Sequence, residues 1–272
     1  MSDLRDLQLK ELEMLKLFAD FCKEQKLRYF ILGGTLLGAV RHKGFIPWDD
    51  DVDVAMPRKD YEQFLSHSSE VFKEPFSVNL YDRTPGYHYS FARINDSRMH
   101  VINHSASNPR REEISIDIFP VDGFPDPGIR RSLHKLHLSF WWNLNQIVLY
   151  DELVNKTRKR KWTGRLFVSI AGLFKWIGKL MNPTTCLRHV NQVLAKYDYD
   201  SDSKDIINFL AAFGFSEVFP RSSFGEGAVY PFEGESLMGP VDYDTVCKII
   251  YGDYMTLPPE NERNWHNTEI VD

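Results

Sequence analysis

The stretch that most constrains this chain is residues 29–56, YFILGGTLLGAVRHKGFIPWDDDVDVAM. An apolar run stops at Gly33-Gly34-Thr35, and a basic loop then leads into Asp49, Asp50, Asp51 and Asp53. Alternate residues of an extended strand share a face. Asp51 and Asp53 are therefore expected to project together, with Val52, Val54 and Met56 packing opposite. Two neighbouring carboxylates repel each other unless a cation lies between them. A divalent metal held by oxygen ligands, Mg²⁺ or Mn²⁺, is the usual solution.

The flanking sequence predicts the elements around that stretch. Residues 3–25 read as an amphipathic helix with Leu7, Met14, Leu15, Phe18, Phe21 and Cys22 inward. Residues 27–32 suit a buried strand, and Thr35 is placed to cap a helical turn over 36–41, whose first N–H groups are free. A helix over 58–72 follows, with Tyr61, Phe64, Leu65 and Phe72 inward. Strands are expected at 76–81 and 88–94, joined by a turn on Thr84-Pro85-Gly86, and again at 99–102. In a further strand, 114–119, the isoleucines share one face and Asp117 points to the other, which supplies a third carboxylate. After Pro120 come the breakers of 123–128, then helices expected over 129–150, 157–180, 184–198 and 242–251. The reading is an α/β core over 1–125 followed by a mainly helical region, 126–272.

Composition narrows the class. The 272 residues are 43% hydrophobic and 26% charged, values of a folded chain, and a net charge of −5 gives no reason to expect nucleic-acid binding. Cys22, Cys186 and Cys247 lack the spacing of a zinc site or a disulfide framework, and the N-terminus is charged and periodic rather than a leader. A cytoplasmic location is the expectation. A glycine turn, an Asp-x-Asp strand and a later strand bearing one more Asp together describe a metal-dependent phosphoryl-transfer site. In it, Gly33, Gly34 and Thr35 approach phosphate through backbone N–H groups, and the metal neutralises phosphate charge. The bland alternative is a solvated acidic turn.

The residues also carry a resemblance. GGTLLGAVRHKGFIPWDDDVDVAMPR (33–58), IDIFPVDG (116–123), YPFEG (230–234) and YGDYMTLPP (251–259) resemble the motifs of the LicD family, phosphocholine transferases of the nucleotidyltransferase-fold superfamily. The resemblance implies an α+β, nucleotidyltransferase-like mixed sheet flanked by helices. It also implies a CDP-alcohol donor, typically CDP-choline, and transfer of the phospho-alcohol to a sugar hydroxyl of a surface glycopolymer such as teichoic acid or lipopolysaccharide, with release of CMP. Asp51 and Asp53 match the family's metal pair and Asp117 its third acid, read here as the general base; Asp49 and Asp50 stay undecided. Ribitol phosphate transfer, true nucleotidyl transfer and a scaffold that binds donor or glycan without turnover are the alternatives.

Arg41, His42 and Lys43 lie where donor phosphates are expected, against the alternative of a solvated basic loop. Arg93 is either a further phosphate contact or half of an ion pair. Choline needs an aromatic cage or a facing carboxylate; Trp48, Tyr87, Tyr89 and Phe232 are candidates by location, each more often core than cage. His266 is a tail histidine within reach of the site or simply solvated. Residues 156–181, basic and then aromatic-rich, fit peripheral contact with the cytoplasmic face of a membrane as well as they fit a core helix.

Overall fold

The computed structural model describes residues 2–104, 109, 111–150, 172, 176, 181–260, 263 and 268–271. The helix expected at 157–180, the membrane segment and His266 lie outside these residues, apart from two positions within 156–181 and Met181 itself. The described elements form a mixed α/β fold on an eight-stranded sheet. Strands β1 (Phe30–Ile31), β2 (Asp53–Pro57), β5 (Arg111–Phe124), β4 (Ala92–Asn103) and β10 (Thr268–Ile270) are adjacent in that order. β3 (Phe76–Asn79) pairs with β4, and β6 (Asp205–Ile207) joins β5 to β7 (Val218–Pro220). β2 and β5 run parallel; the other described pairs are antiparallel. A hairpin of β8 (Ala228–Phe232) and β9 (Glu235–Gly239) stands apart as a second sheet and packs against β1, where Tyr29 Oη accepts from the Met238 N–H at 3.3 Å.

β5 is the spine of the molecule. Its Ile114, Ile116 and Ile118 are buried as the alternation predicts, but the strand does not stop at Pro120. The Asp117 amide faces β2, donating to Val52 O at 2.9 Å, so the amide edge of residue 120 faces β4. There β4 has already ended, with Ala92 opposite Ile118, and no ladder bond is lost to the proline. The strand continues through Gly123, beside which the Asp198 carbonyl lies 2.2 Å from where a Cβ would sit. It then pairs with β6, so the described residues after 126 supply five strands as well as helices. The strands expected at 88–94 and 99–102 are one strand, β4, which starts only at Ala92. Its polar middle is a bulge between Asp96 and His100, where the buried Asp96 carboxylate accepts from the backbone and guanidinium of Arg98.

Helix α1 (Ser2–Gln25) buries the predicted face, with Phe18 edge-on to Tyr29 and Phe64 at 5.2 and 5.4 Å. α2 (Gly33–Arg41) and α3 (Arg58–Val71) flank β2, and Tyr61, Phe64, Leu65 and Phe72 are all buried as expected. α4 (Ile129–Val148) and α5 (Pro183–Leu194) form a second core with Phe91, Phe119, Phe124 and Phe209. α6 (Tyr243–Tyr251) is capped by Asp242, which accepts from the Thr245 N–H.

Candidate active site

β2 is a short strand whose residues beyond Asp53 are all buried, so only its leading end can present polar groups. Asp51 and Asp53 sit at that end, two residues apart and partly exposed, with Val52 buried between them. The glycine pair explains how the acids fit. α2 starts at Gly33, not after a Thr35 cap, so the N–H groups of its first turn have no partner within the helix. A Cβ on Gly33, whose φ is +57°, would stand 2.4 Å from Asp53 Oδ2, and one on Gly34 would stand 2.3 Å from Asp49 Oδ2. The helix start is therefore bare so that two carboxylates can lie against it, where the helix dipole favours negative charge. Thr35 is buried, and its hydroxyl accepts from the Asp53 N–H at 2.9 Å, which fixes the strand end to the helix.

The predicted third acid arrives in register. Asp53 stands opposite Asp117 across the parallel β2–β5 pair, and Asp117 opposite Arg93 across β5–β4. Arg93 Nε donates to Asp117 Oδ1 at 2.7 Å, and its guanidinium lies 3.8 Å from the centre of the Tyr89 ring. Arg93 thus makes an ion pair, one of its two readings. Among the described residues, Asp49, Asp50 and Asp51 each bring one carboxylate oxygen to within 4.8 Å of the others. An all-oxygen, all-acidic set of this kind suits a hard divalent cation such as Mg²⁺ or Mn²⁺. The acidic field has a marked effect on its members: burial, reinforced by Asp51, Asp117 and Asp49, holds the Asp53 carboxyl well above the usual carboxylate range.

Sequence reasoning missed the floor of this cluster. Gln8 of α1 donates to the carbonyls of Asp49, at 2.9 Å, and Ile46, and Glu11, one turn on, is buried. Burial and the charges of Asp51, Asp50 and Asp49 push the Glu11 carboxyl well above its ordinary value. The signal was present as two polar residues on an otherwise apolar helix face. YPFEG also proves to be a brace. Phe232 is core, 4.9 Å from Phe45, while Glu233 accepts from the Phe45 N–H and from Arg5 and so holds the loop between α2 and the aspartates.

The cluster opens into a cavity of about 610 Å³, within the range of small-molecule sites. Gly33, Gly34, Asp49, Asp51 and Asp53 form one wall. The YGDYMTLPP segment forms another through Tyr251, Tyr254, Leu257 and Pro258, and Trp48 and Arg263 lie 4.5 Å apart on the same side. Arg41 lines the cavity; its Nη1 donates to Tyr254 O at 2.8 Å, and its buried Nε has no partner among the described residues. His42 and Lys43 are exposed and do not line it. Among the aromatic candidates, Trp48 lines the cavity; Tyr87 and Tyr89 cluster by Arg93 instead. The remaining wall, unforeseen, comes from the β6–β7 connection: Asn208, Ala211, Ala212, Phe213 and Glu217. Nothing in residues 208–217 has a motif's spacing, and only pairing of β6 on β5 brings them to Asp53.

The profile of the family described as LicD/FKTN/FKRP, nucleotidyltransferase domain, matches residues 26–167, just over half of the chain. The chain belongs to the LicD family. Its similarity to a curated LicD protein runs well beyond the matched domain. The lipopolysaccharide cholinephosphotransferase LicD of Haemophilus influenzae is 29% identical over 271 residues, covering 98% of this chain and 96% of that protein. An uncharacterized protein of Rickettsia typhi is 41% identical over 62 residues, 22% of this chain and 20% of its own length. The LicD-family motifs thus fall on the cavity wall, the aspartate strands and the Glu233 brace.

Proposed function

We propose that this protein is a metal-dependent transferase that moves phosphocholine from CDP-choline to a sugar hydroxyl of a cell-surface glycan, releasing CMP. The observation that carries the reading is the near end-to-end similarity to the Haemophilus cholinephosphotransferase. The cavity supports it: acids sufficient for a Mg²⁺ or Mn²⁺ ion, Arg41 with an unpaired donor for a phosphate oxygen, and room for a nucleotide.

Asp51 and Asp53, with Asp49 and Asp50 beside them, would hold the metal, and a bound ion supplies neutralisation of the diphosphate charge. The bare start of α2 and Arg41 then hold the donor phosphates. The acceptor oxygen bonds to the phosphorus distal to cytidine as the bond from that phosphorus to the CMP oxygen breaks. Its proton passes to Asp117, which Arg93 orients in register with Asp53. A lipopolysaccharide-type or teichoic acid-type acceptor follows from the relative's name and the family resemblance. Among the described residues no helix is long and apolar enough to cross a membrane.

A second reading, nucleotidyl transfer, draws on the family description, which names a nucleotidyltransferase domain. A thermal-shift screen of CDP-choline, CDP-ribitol, CDP-glycerol and CTP, each with Mg²⁺, separates the readings. The largest rise in Tm is expected with CDP-choline; a rise with CTP alone favours the second reading.

A further inference from the structure

Glu217 is a buried carboxylate on the cavity wall, 3% exposed. It accepts from the Phe213 N–H at 3.0 Å and from Asn208 Nδ2 at 2.9 Å, and among the described residues no Lys or Arg pairs with it. Buried charges in proteins are paired or hold a ligand; this one has neutral donors only. Burial pushes its carboxyl up to about 7. The Asn208 Oδ1 beside it is a buried acceptor without a donor among the described residues. The rest of this wall is apolar and spare: Phe119, Ala211, Ala212 and Phe213. Glu217 lies close enough to Asp53 for its charge to act on that carboxyl, whereas Arg41 feels Asp49.

We propose that Glu217, with Asn208 and the apolar wall of Phe119, Ala211, Ala212 and Phe213, is the subsite for the quaternary ammonium of the transferred alcohol. The inference rests on the phosphocholine reading above and adds the residue that selects the head group. A trimethylammonium ion has no N–H to offer, so it needs a carboxylate for its charge and apolar surface for its methyl groups. A polyol such as ribitol could give a hydroxyl to Glu217 or Asn208, but its remaining hydroxyls would lie against Phe119, Phe213 and the two alanines, whose side chains carry no donor or acceptor.

The test uses the full chain and Glu217→Gln, with binding of tetramethylammonium, CDP-choline and CMP measured by calorimetry in Mg²⁺. The expected result is a loss of at least tenfold in affinity for tetramethylammonium and CDP-choline in the variant, with CMP binding and Tm unchanged. If Glu217→Gln binds CDP-choline as the parent does, or loses CMP and CDP-choline equally, the subsite is overturned and phosphocholine transfer stands. If the parent binds CDP-choline no better than CMP, and does not bind tetramethylammonium, the subsite is overturned. The transfer reading falls as well only if CDP-choline also yields no CMP. Glu217→Asp, which shortens the reach but keeps the charge, is expected to retain part of the affinity.

Discussion

At Gly34 a single hydrogen in place of a methyl group decides whether Asp49 can lie against the start of α2. Gly34→Ala places a carbon 2.3 Å from the Asp49 Oδ2, so that carboxylate must turn away from the start of α2. The expected outcome is a loss of metal affinity of at least tenfold in calorimetry, with the fold retained by circular dichroism. Asp53→Asn removes a carboxylate that its neighbours already burden. Turnover is expected to fall by roughly a thousandfold or more, since metal-held phosphate charge is the main source of rate. In EDTA the variant's Tm should equal or exceed the parent's; a lower Tm would mean that Asp53 serves the fold rather than the site. At this scale the sequence was informative where chemistry is local. Gly33 and Gly34 open one helix and Asp51 and Asp53 stand two residues apart at the head of one strand, so local spacing was enough to group them. Asn208 and Glu217 carry no local pattern and reach the site only through packing.

At the scale of elements, β5 joins the two cores, and its far end is held by charge. Arg58 of α3 donates to both oxygens of Asp122, at 2.8 and 2.6 Å, and to Asn191 of α5. Asp122 is fully enclosed, so removing it leaves a buried guanidinium with only the exposed Glu62, at 3.6 Å, as an ion partner. Asp122→Ala is expected to cost about 3–5 kcal/mol in urea unfolding, with metal affinity changed little in the folded fraction. The IDIFPVDG motif is thus divided between the proposed base Asp117, structure at Asp122 and close packing at Gly123. Alternation located the first half of this strand. The second half was hidden because Pro120 reads as a breaker unless it is known that β4 has already ended beside it. The same limit split β4 in two, since a bulge built on a buried Asp96 looks like a polar loop.

At the scale of the whole molecule, the cavity exists because β6, β7 and the segment after α6 close over the aspartate strand. One buried group away from the cavity makes the stability sensitive to acid. His134 of α4 packs against Phe124 and Tyr197, and burial lowers its pKa to about 4. Unfolded, the imidazole takes its proton near 6.5, so between these values the unfolded chain binds more protons. Stability is full above about 6.5 and falls as pH drops towards 4, by on the order of 2 kcal/mol. His134→Leu should flatten this part of the Tm–pH curve; an unchanged slope would place the acid sensitivity elsewhere.

The central claim is tested most directly by identifying the products formed from CDP-choline, Mg²⁺ and a panel of saccharide acceptors that includes lipopolysaccharide. Separation by liquid chromatography with mass spectrometry should give CMP and a phosphocholine-bearing saccharide in equal amounts, with neither formed by Asp53→Asn. An acceptor carrying the cytidine nucleotide, or equal turnover by Asp53→Asn, would contradict the account.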